Sequence, residues 1–188
     1  MSRMYRSGFT IVELLIVIVV IAILAAISVV AYNGIQSRAE NSKTIAAVSA
    51  WAKALQMYKI DNGNYPSQNS CLGASGTYSG VYSGRCWPPE SNGTWVVQNG
   101  FLSAMNSYMG GSYPEPSSKD VNANVSNEQY RGAIYYRNGG TTGDERIYAM
   151  FQGITSSYTN CPDISGLGAA FSGASRANGY SCYYRLPQ

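Results

Sequence analysis

The stretch FTIVELLIVIVVIAILAAISVVA, residues 9–31, decides the fold. Only Thr10, Glu13 and Ser28 interrupt an otherwise apolar run. Ile and Val favour strands in water, but a single segment in lipid must satisfy its own backbone hydrogen bonds, which a helix does. As a helix the segment is about 35 Å long, against about 30 Å for the hydrocarbon core of a bilayer. The sequence therefore predicts a transmembrane helix.

The charges that flank this run predict its orientation. Arg3 and Arg6 precede it and no acidic residue does, so the short amino-terminal segment should stay in the cytoplasm. Residues 33–188 are then outside the membrane. A secretory signal peptide, whose apolar core is about 7–15 residues long, and a plain uncleaved anchor are the two alternatives. Neither alternative accounts for Glu13.

Glu13 is costly in a membrane helix unless it has a partner. Insertion of a carboxylate costs about 2.5–3.5 kcal/mol. A cut between Gly8 and Phe9 would place a new α-amine four residues before Glu13, one turn away on the same helix face. That amine would be a cation at the depth of the carboxylate, able to pair with it or with the carboxylate of a neighbouring helix.

The string SGFTIVELLIVI, residues 7–18, resembles the leader junction and first helical turns of type IV pilins and of the related pseudopilins. The resemblance implies that residues 1–8 are a leader, which a prepilin peptidase removes after Gly8. It also implies that Phe9 becomes the N-methylated terminus and that Glu13 acts in filament assembly.

The same resemblance implies a structural role rather than catalysis. The chain would enter the plasma (inner) membrane as a single-pass prepilin, with residues 9–32 as the transmembrane and assembly half of its helix. It would then polymerise with other pilin subunits on an assembly platform, into a surface filament that serves adhesion, motility or DNA uptake. The alternatives are a pseudopilin of a type II secretion or competence machine, and a membrane-anchored exported binding domain that never polymerises. The formal net charge of +3 does not by itself support nucleic acid as a partner.

Beyond the membrane the pattern predicts that the helix continues as an amphipathic one. Ile45, Val48, Ala52 and Leu55 recur at spacings of three and four, which marks one buried face. The helix should end in DNGNYP, residues 61–66, because Gly supplies a left-handed cap there and Pro forbids continuation.

Residues 33–188, which include this outer half of the helix, are predicted to form one extracytoplasmic domain. Helical spacing indicates a short helix in 101–109, and runs rich in Ile, Tyr and Phe indicate strands in 132–137, 146–152 and 181–186. A small antiparallel sheet packed on the long helix is the simplest arrangement of these elements. The predicted fold class is α+β, in agreement with the pilin fold that the resemblance implies.

All four cysteines lie on the predicted outside of the membrane: Cys71, Cys86, Cys161 and Cys182. An even number in an exported, charge-poor domain indicates disulfides. Three pairings are possible, and the sequential one, Cys71–Cys86 with Cys161–Cys182, is favoured because each bridge closes a modest, loop-rich segment. A zinc site with four thiolates is disfavoured because the sequence has no C-x-x-C pair.

The remaining residues support no catalytic site. The chain contains no His, which excludes a Ser-His-Asp or Cys-His arrangement and a His-ligated metal. Asp144 and Glu145 lie in a glycine-containing loop, where a solvated loop is favoured over a weak calcium site, and Glu115 and Asp120 are no better placed. The tyrosines could form an adhesive surface, but half-buried packing in a sheet is favoured. The sequence thus predicts no enzyme, no cofactor and no metal site.

Overall fold

The structure is a computed structural model that describes residues 9–78, 85–87, 95–119, 121–122, 129–137, 143–154 and 157–188. The chain divides into two compact units, Met1–Ser37 and Arg38–Gln188. Residues 11–37 of the first unit are helical, and the second unit contains the sheet and the core.

The long helix α1 covers Ile11–Asn62, which confirms the predicted helix and its predicted end. Gly63 follows it with φ of +75°, a left-handed conformation that favours glycine, and its N–H donates to the Lys59 carbonyl oxygen at 2.8 Å. Within the second unit, Val48, Ala52 and Leu55 of α1 are fully buried, which confirms the predicted apolar face.

Among the described residues, seven strands form a five-stranded and a two-stranded antiparallel sheet. In chain order they are β1 Ser70–Cys71, β2 Val121–Asn122, β3 Gln129–Tyr130, β4 Ala133–Arg137, β5 Glu145–Gln152, β6 Ser172–Arg176 and β7 Gly179–Arg185. The larger sheet has the order β1-β4-β5-β7-β6, and β2 pairs with β3. The three predicted strands correspond to β4, β5 and β7, so the predicted antiparallel sheet and the α+β class are confirmed. Most of the predicted loop between β4 and β5, residues 138–142, lies outside the described residues.

Side chains alternate between the two faces of this sheet, as a period of two requires. One face packs on the buried stripe of α1, around Trp51 and Leu55. The members from β4, β5 and β7 that belong to this cluster are Ala133, Tyr135, Ile147, Ala149, Phe151, Tyr180, Cys182 and Tyr184. The opposite face forms a second cluster with the loop residues Cys86 and Trp87.

A second helix, α2 at Asn99–Met109, confirms the short helix predicted in this region. Its residues Phe101, Leu102 and Met105 are buried against the core. The Phe101 ring stacks on the Trp51 indole with centroids 5.6 Å apart, so α2 closes the core beside α1.

Two disulfides join the cysteines in the sequential pairing that the sequence favoured. Cys71 is bonded to Cys86 and Cys161 to Cys182, each pair with Cα atoms 5.9 Å apart. All four cysteines lie in the described residues and none is free. The two bridges brace different faces of the sheet, because Cys71–Cys86 belongs to the outer cluster and Cys182 to the cluster on α1.

Candidate assembly site at the amino terminus

The predicted cleavage site lies at the edge of the described part of the chain. Gly8 and the two leader arginines, Arg3 and Arg6, fall outside the described residues. Phe9, the predicted new terminus, precedes α1 and is 83% exposed. The exposed, non-helical position of Phe9 is compatible with processing, and its cleavage and methylation stay predictions.

Glu13 and Thr10 form a reciprocal capping box at the start of α1. The Glu13 carboxylate oxygen Oε2 accepts from the Thr10 backbone N–H at 2.8 Å and from the Thr10 hydroxyl at 2.7 Å. In return the Glu13 N–H donates to Thr10 Oγ1 at 3.2 Å. This arrangement satisfies two of the backbone donors that every helix start leaves without a partner. A carboxylate in the first helical turn is also stabilised by the helix dipole.

Sequence reasoning missed the role of Thr10, which it counted only as an interruption of the apolar run. The signal that identifies it is the spacing Thr-x-x-Glu immediately before an apolar run, which is the pattern of a capping box. Both polar side chains lie on the mature side of the predicted cut, so the cap does not depend on the leader.

The rest of the first unit offers an apolar surface. Glu13 is the one charged residue between Phe9 and Ser37. The other interrupting side chain, Ser28, donates to the Leu24 carbonyl oxygen of the preceding turn at 2.7 Å and is satisfied within the helix. The large apolar side chains that the structure describes in this unit are exposed, with fractions that range from 86% at Ile11 to 48% at Val19. By length and composition the helix can cross a membrane.

In the described structure, the loop carboxylates of Asp144 and Glu145 contact arginine side chains and do not form a metal site. Asp144 accepts hydrogen bonds from the Arg146 guanidinium, the Nε bond measuring 2.7 Å. Glu145 is buried and not solvated, so the expectation of a solvated loop is wrong for it. Its carboxylate lies 3.5 Å from Arg137 Nε and accepts from the Gly143 N–H. Within the described residues no group of three or more Cys, Asp or Glu side chains could hold a metal ion.

The second carboxylate pair considered from the sequence is not brought together in the described part of the chain. Glu115 accepts a hydrogen bond from the Thr77 hydroxyl at 2.9 Å. Asp120 lies outside the described residues. This leaves the capping box as the polar feature that distinguishes the amino-terminal unit.

Two known protein families match the first 85 residues of the chain. Residues 3–29 match the family model of the prokaryotic N-terminal methylation motif. Residues 31–85 match the family model of type II secretion system protein G. The methylation-motif match covers Phe9 and Glu13, and the second match covers the outer half of α1.

Individual relatives come from secretion systems and from pili. The type II secretion system core protein G of Klebsiella michiganensis is 34% identical over 54% of this chain and 66% of its own length. The corresponding protein of Pseudomonas aeruginosa is 42% identical over 39% of this chain and 52% of its own length. The type IV major pilin protein PilE1 of Neisseria gonorrhoeae is 32% identical over 54% of each chain.

These matches span between about half and 66% of the length of the curated relatives. No solved structure shows significant similarity to the chain. Three observations indicate the same family. They are the methylation motif, the long helix with its exposed apolar start, and the sequence shared with both kinds of relative. The chain belongs to the family of type IV pilins and type II secretion pseudopilins.

Proposed function

We propose that this chain is a structural subunit of a type IV pilus-like filament, which polymerises through the apolar start of α1. Residues 1–8 act as the leader, 9–32 as the transmembrane and assembly segment, and 33–188 as the extracytoplasmic domain. Prepilin peptidase cuts after Gly8 and the new terminus is N-methylated at Phe9. The role is structural, with no catalytic step.

The observation that carries the proposal is the exposed apolar start of α1, which contains a single charged residue before Arg38. Buried in lipid, its apolar side chains are satisfied, but Glu13 has only the Thr10 hydrogen bonds among the described residues. A second copy of the helix offers both an apolar surface and, after cleavage, the Phe9 α-amine as a cation. Assembly would therefore exchange lipid contacts for protein contacts and give Glu13 an ionic partner.

The localisation follows from the same steps. The precursor lies in the plasma (inner) membrane with its leader in the cytoplasm, and the mature subunit passes into a surface filament. The partners are other copies or other pilin subunits, the prepilin peptidase and an assembly platform. Adhesion, motility and DNA uptake are the surface functions that such a filament would serve.

The first experiment is the mass of the amino-terminal peptide of protein recovered from cells that process prepilins. A peptide that begins at Phe9 and carries one extra methyl group is the expected result. An intact Met1 would favour a tethered binding domain that does not polymerise, and a terminus at Tyr32 would indicate an ordinary signal peptide. Either of these results would contradict the proposal.

The second experiment separates the charge of Glu13 from its capping role. Glu13→Gln keeps an oxygen that accepts from Thr10 but removes the negative charge, whereas Glu13→Ala removes both. We expect both variants to reduce filament yield strongly, and Ser28→Ala, which alters the other satisfied polar residue, to leave it unchanged. If Glu13→Gln assembles as well as the unaltered protein, the ionic role is wrong and the residue serves only the helix cap.

A pseudopilin of a type II secretion machine is the second candidate function. The observation in its favour is the match of residues 31–85 to the protein G family model. The two functions differ in filament length and abundance, so surface material sheared from the cells separates them. A subunit that dominates this material supports the pilus, and one that is absent from it while protein secretion depends on it supports the pseudopilin.

A further inference from the structure

The face of the sheet turned away from α1 carries an open cavity lined by aromatic rings. Its volume is about 280 Å³, close to the lower end of the range of small-molecule sites. We call the six rings that line it the aromatic bowl: Trp87, Trp95, Tyr130, Tyr136, Tyr148 and Tyr183. Ile134 and Arg176 complete the lining among the described residues.

Strand register creates the floor of the aromatic bowl. Tyr148 of β5 lies directly opposite Tyr183 of β7, and their ring centroids are 4.2 Å apart. Tyr136 of β4 lies on the same face, 5.3 Å from the Tyr148 ring. Three adjacent strands thus present three rings side by side, each partly exposed.

The rim holds two indoles and a cation. The Trp87 ring meets the Tyr130 ring edge to face at 4.5 Å, and Trp95 lies 5.5 Å from Tyr136. The Arg176 guanidinium lies over Tyr130, with Cζ 3.7 Å from the ring centroid. Its Nε donates to the Ser181 hydroxyl at 2.9 Å, which fixes its position.

One buried donor of this wall has no hydrogen-bond partner. It is the indole nitrogen of Trp95, for which the described part of the chain supplies no acceptor. An unpaired buried donor is costly, and a ligand whose acceptor oxygen reached it would satisfy it.

We propose that the aromatic bowl is a binding site for a neutral oligosaccharide. A pyranose ring has an apolar C–H face, which matches a floor of partly exposed aromatic rings, and a rim of hydroxyl groups. Those hydroxyls can accept hydrogen bonds from the guanidinium group of Arg176. The described lining contains no carboxylate, and its single cation already lies over the Tyr130 ring, so the lining suits a ligand without charge.

Two other ligand classes fit the same features less well. A quaternary ammonium ion also binds aromatic rings, but Arg176 already lies over Tyr130 and would repel it. Single-stranded nucleic acid stacks on aromatic rings, but it needs a basic groove that follows the phosphates. The described lining offers only one arginine for that purpose.

The inference deepens the adhesive role within the proposed function, because a filament would display many copies of the bowl. Binding itself belongs to one subunit and does not require assembly. A failure of assembly would therefore not contradict the proposed saccharide site. A failure of saccharide binding would not contradict the proposed filament.

The test uses the full chain in a polyoxyethylene detergent, which carries neither sugar nor ammonium groups. An array of neutral oligosaccharides is screened first, and the best binder is titrated by calorimetry and by tryptophan fluorescence, since Trp87 and Trp95 line the bowl. Oligothymidylate and tetramethylammonium are titrated in parallel. Saturable binding of an oligosaccharide, and not of the other two probes, is the expected result.

Matched variants connect the binding to the bowl. Tyr183→Ala removes a floor ring and is expected to weaken binding about tenfold, whereas Tyr183→Phe keeps the ring and most of the affinity. Tyr158→Ala removes a tyrosine that is 45% exposed and absent from the lining, so it should have no effect. Tyr136→Ala supplies a second floor variant if Tyr183→Ala does not fold.

Three results would overturn the proposal. The first is an array on which no neutral oligosaccharide binds above background. The second is binding that Tyr183→Ala and Tyr136→Ala leave unchanged, which would locate it elsewhere on the chain. The third is saturable binding of oligothymidylate or tetramethylammonium alone, which would assign the bowl to nucleic acid or to a cation.

Discussion

The side-chain amide of Asn41 pairs in both directions with the backbone of Gln152, although 111 residues separate them. The Asn41 Nδ2 donates to the Gln152 carbonyl oxygen at 2.9 Å, and the Gln152 N–H donates to Asn41 Oδ1 at 2.9 Å. The pairing of β4 with β5 ends at Ala133 and Ala149, and Gln152 is the last residue of β5. Asn41 therefore supplies the hydrogen bonds that a longer β4 would have made, and links α1 to the end of β5.

We expect Asn41→Leu to destabilise the second unit by about 2 kcal/mol, because it removes two hydrogen bonds worth about 1 kcal/mol each. Urea unfolding followed by tryptophan fluorescence measures the change. Lys53→Ala, which removes an exposed side chain from the same helix, is the control and should alter stability by under about 0.5 kcal/mol. Equal unfolding midpoints for Asn41→Leu and the unaltered protein would show that the link contributes nothing.

Tyr65 should make stability depend on alkaline pH. Burial, followed by the nearby Glu145 carboxylate, raises the pKa of Tyr65 to about 12 from a usual value of 10.0. Because the pKa of Tyr65 is higher in the folded than in the unfolded protein, the contribution of Tyr65 to stability is fully present below pH 10. This contribution is lost as the pH rises through 12. We therefore expect the melting temperature to fall more steeply between pH 10 and 12 in the unaltered protein than in Tyr65→Phe.

The comparison uses slopes because Tyr65→Phe also loses the hydrogen bond from the phenol to the Pro187 carbonyl oxygen, which measures 2.7 Å. That loss lowers the melting temperature at every pH below the transition. Tyr158→Phe, at an exposed position, should run parallel to the unaltered protein. Parallel curves for Tyr65→Phe would contradict the prediction.

The buried pair of Glu145 and Arg137 should contribute more to stability than the neighbouring, partly exposed pair of Asp144 and Arg146. Glu145→Gln removes the negative charge from a largely buried ion pair, whose side chains are 2% and 12% exposed, and should cost about 3 kcal/mol. Asp144→Asn breaks the pair with Arg146, whose side chains are 27% and 21% exposed, and should cost under about 1 kcal/mol. Chemical denaturation of the two variants in parallel tests the difference, and equal costs would contradict it.

Strong local patterns made most of the fold predictable. The end of α1 follows from Gly63, which takes a left-handed conformation, and β4, β5 and β7 lie in runs rich in Ile, Tyr and Phe. Strand β6 was not predicted because Ser172–Arg176 contains no large apolar residue. Its small residues are needed, since a Cβ atom at Gly173 would collide with the Tyr180 ring and the Ser181 carbonyl oxygen. Such a requirement depends on the partner strand and is not visible along the sequence.

The two candidate sites differ in how well they can be predicted from the sequence alone. The Thr10–Glu13 cap is local, so its spacing alone identifies it. The aromatic bowl is not local, because Trp87 approaches Tyr148 only through the fold, with centroids 6.0 Å apart. The pairing partners and the register of the strands are needed to place Tyr183 beside Tyr148.

The two disulfides predict how many cysteine thiols can be labelled before and after reduction. Protein recovered from the cell surface and denatured without reductant should label no thiol, whereas reduction should expose four, because all four cysteines are paired. Each bridge closes a loop, with sequence separations of 15 and 21, and should contribute about 2–4 kcal/mol by restricting the unfolded chain. We therefore expect the double substitutions Cys71→Ser with Cys86→Ser, and Cys161→Ser with Cys182→Ser, each to lower the free energy of unfolding by about that amount. Labelled thiols before reduction, or double variants as stable as the unaltered protein, would contradict the assignment.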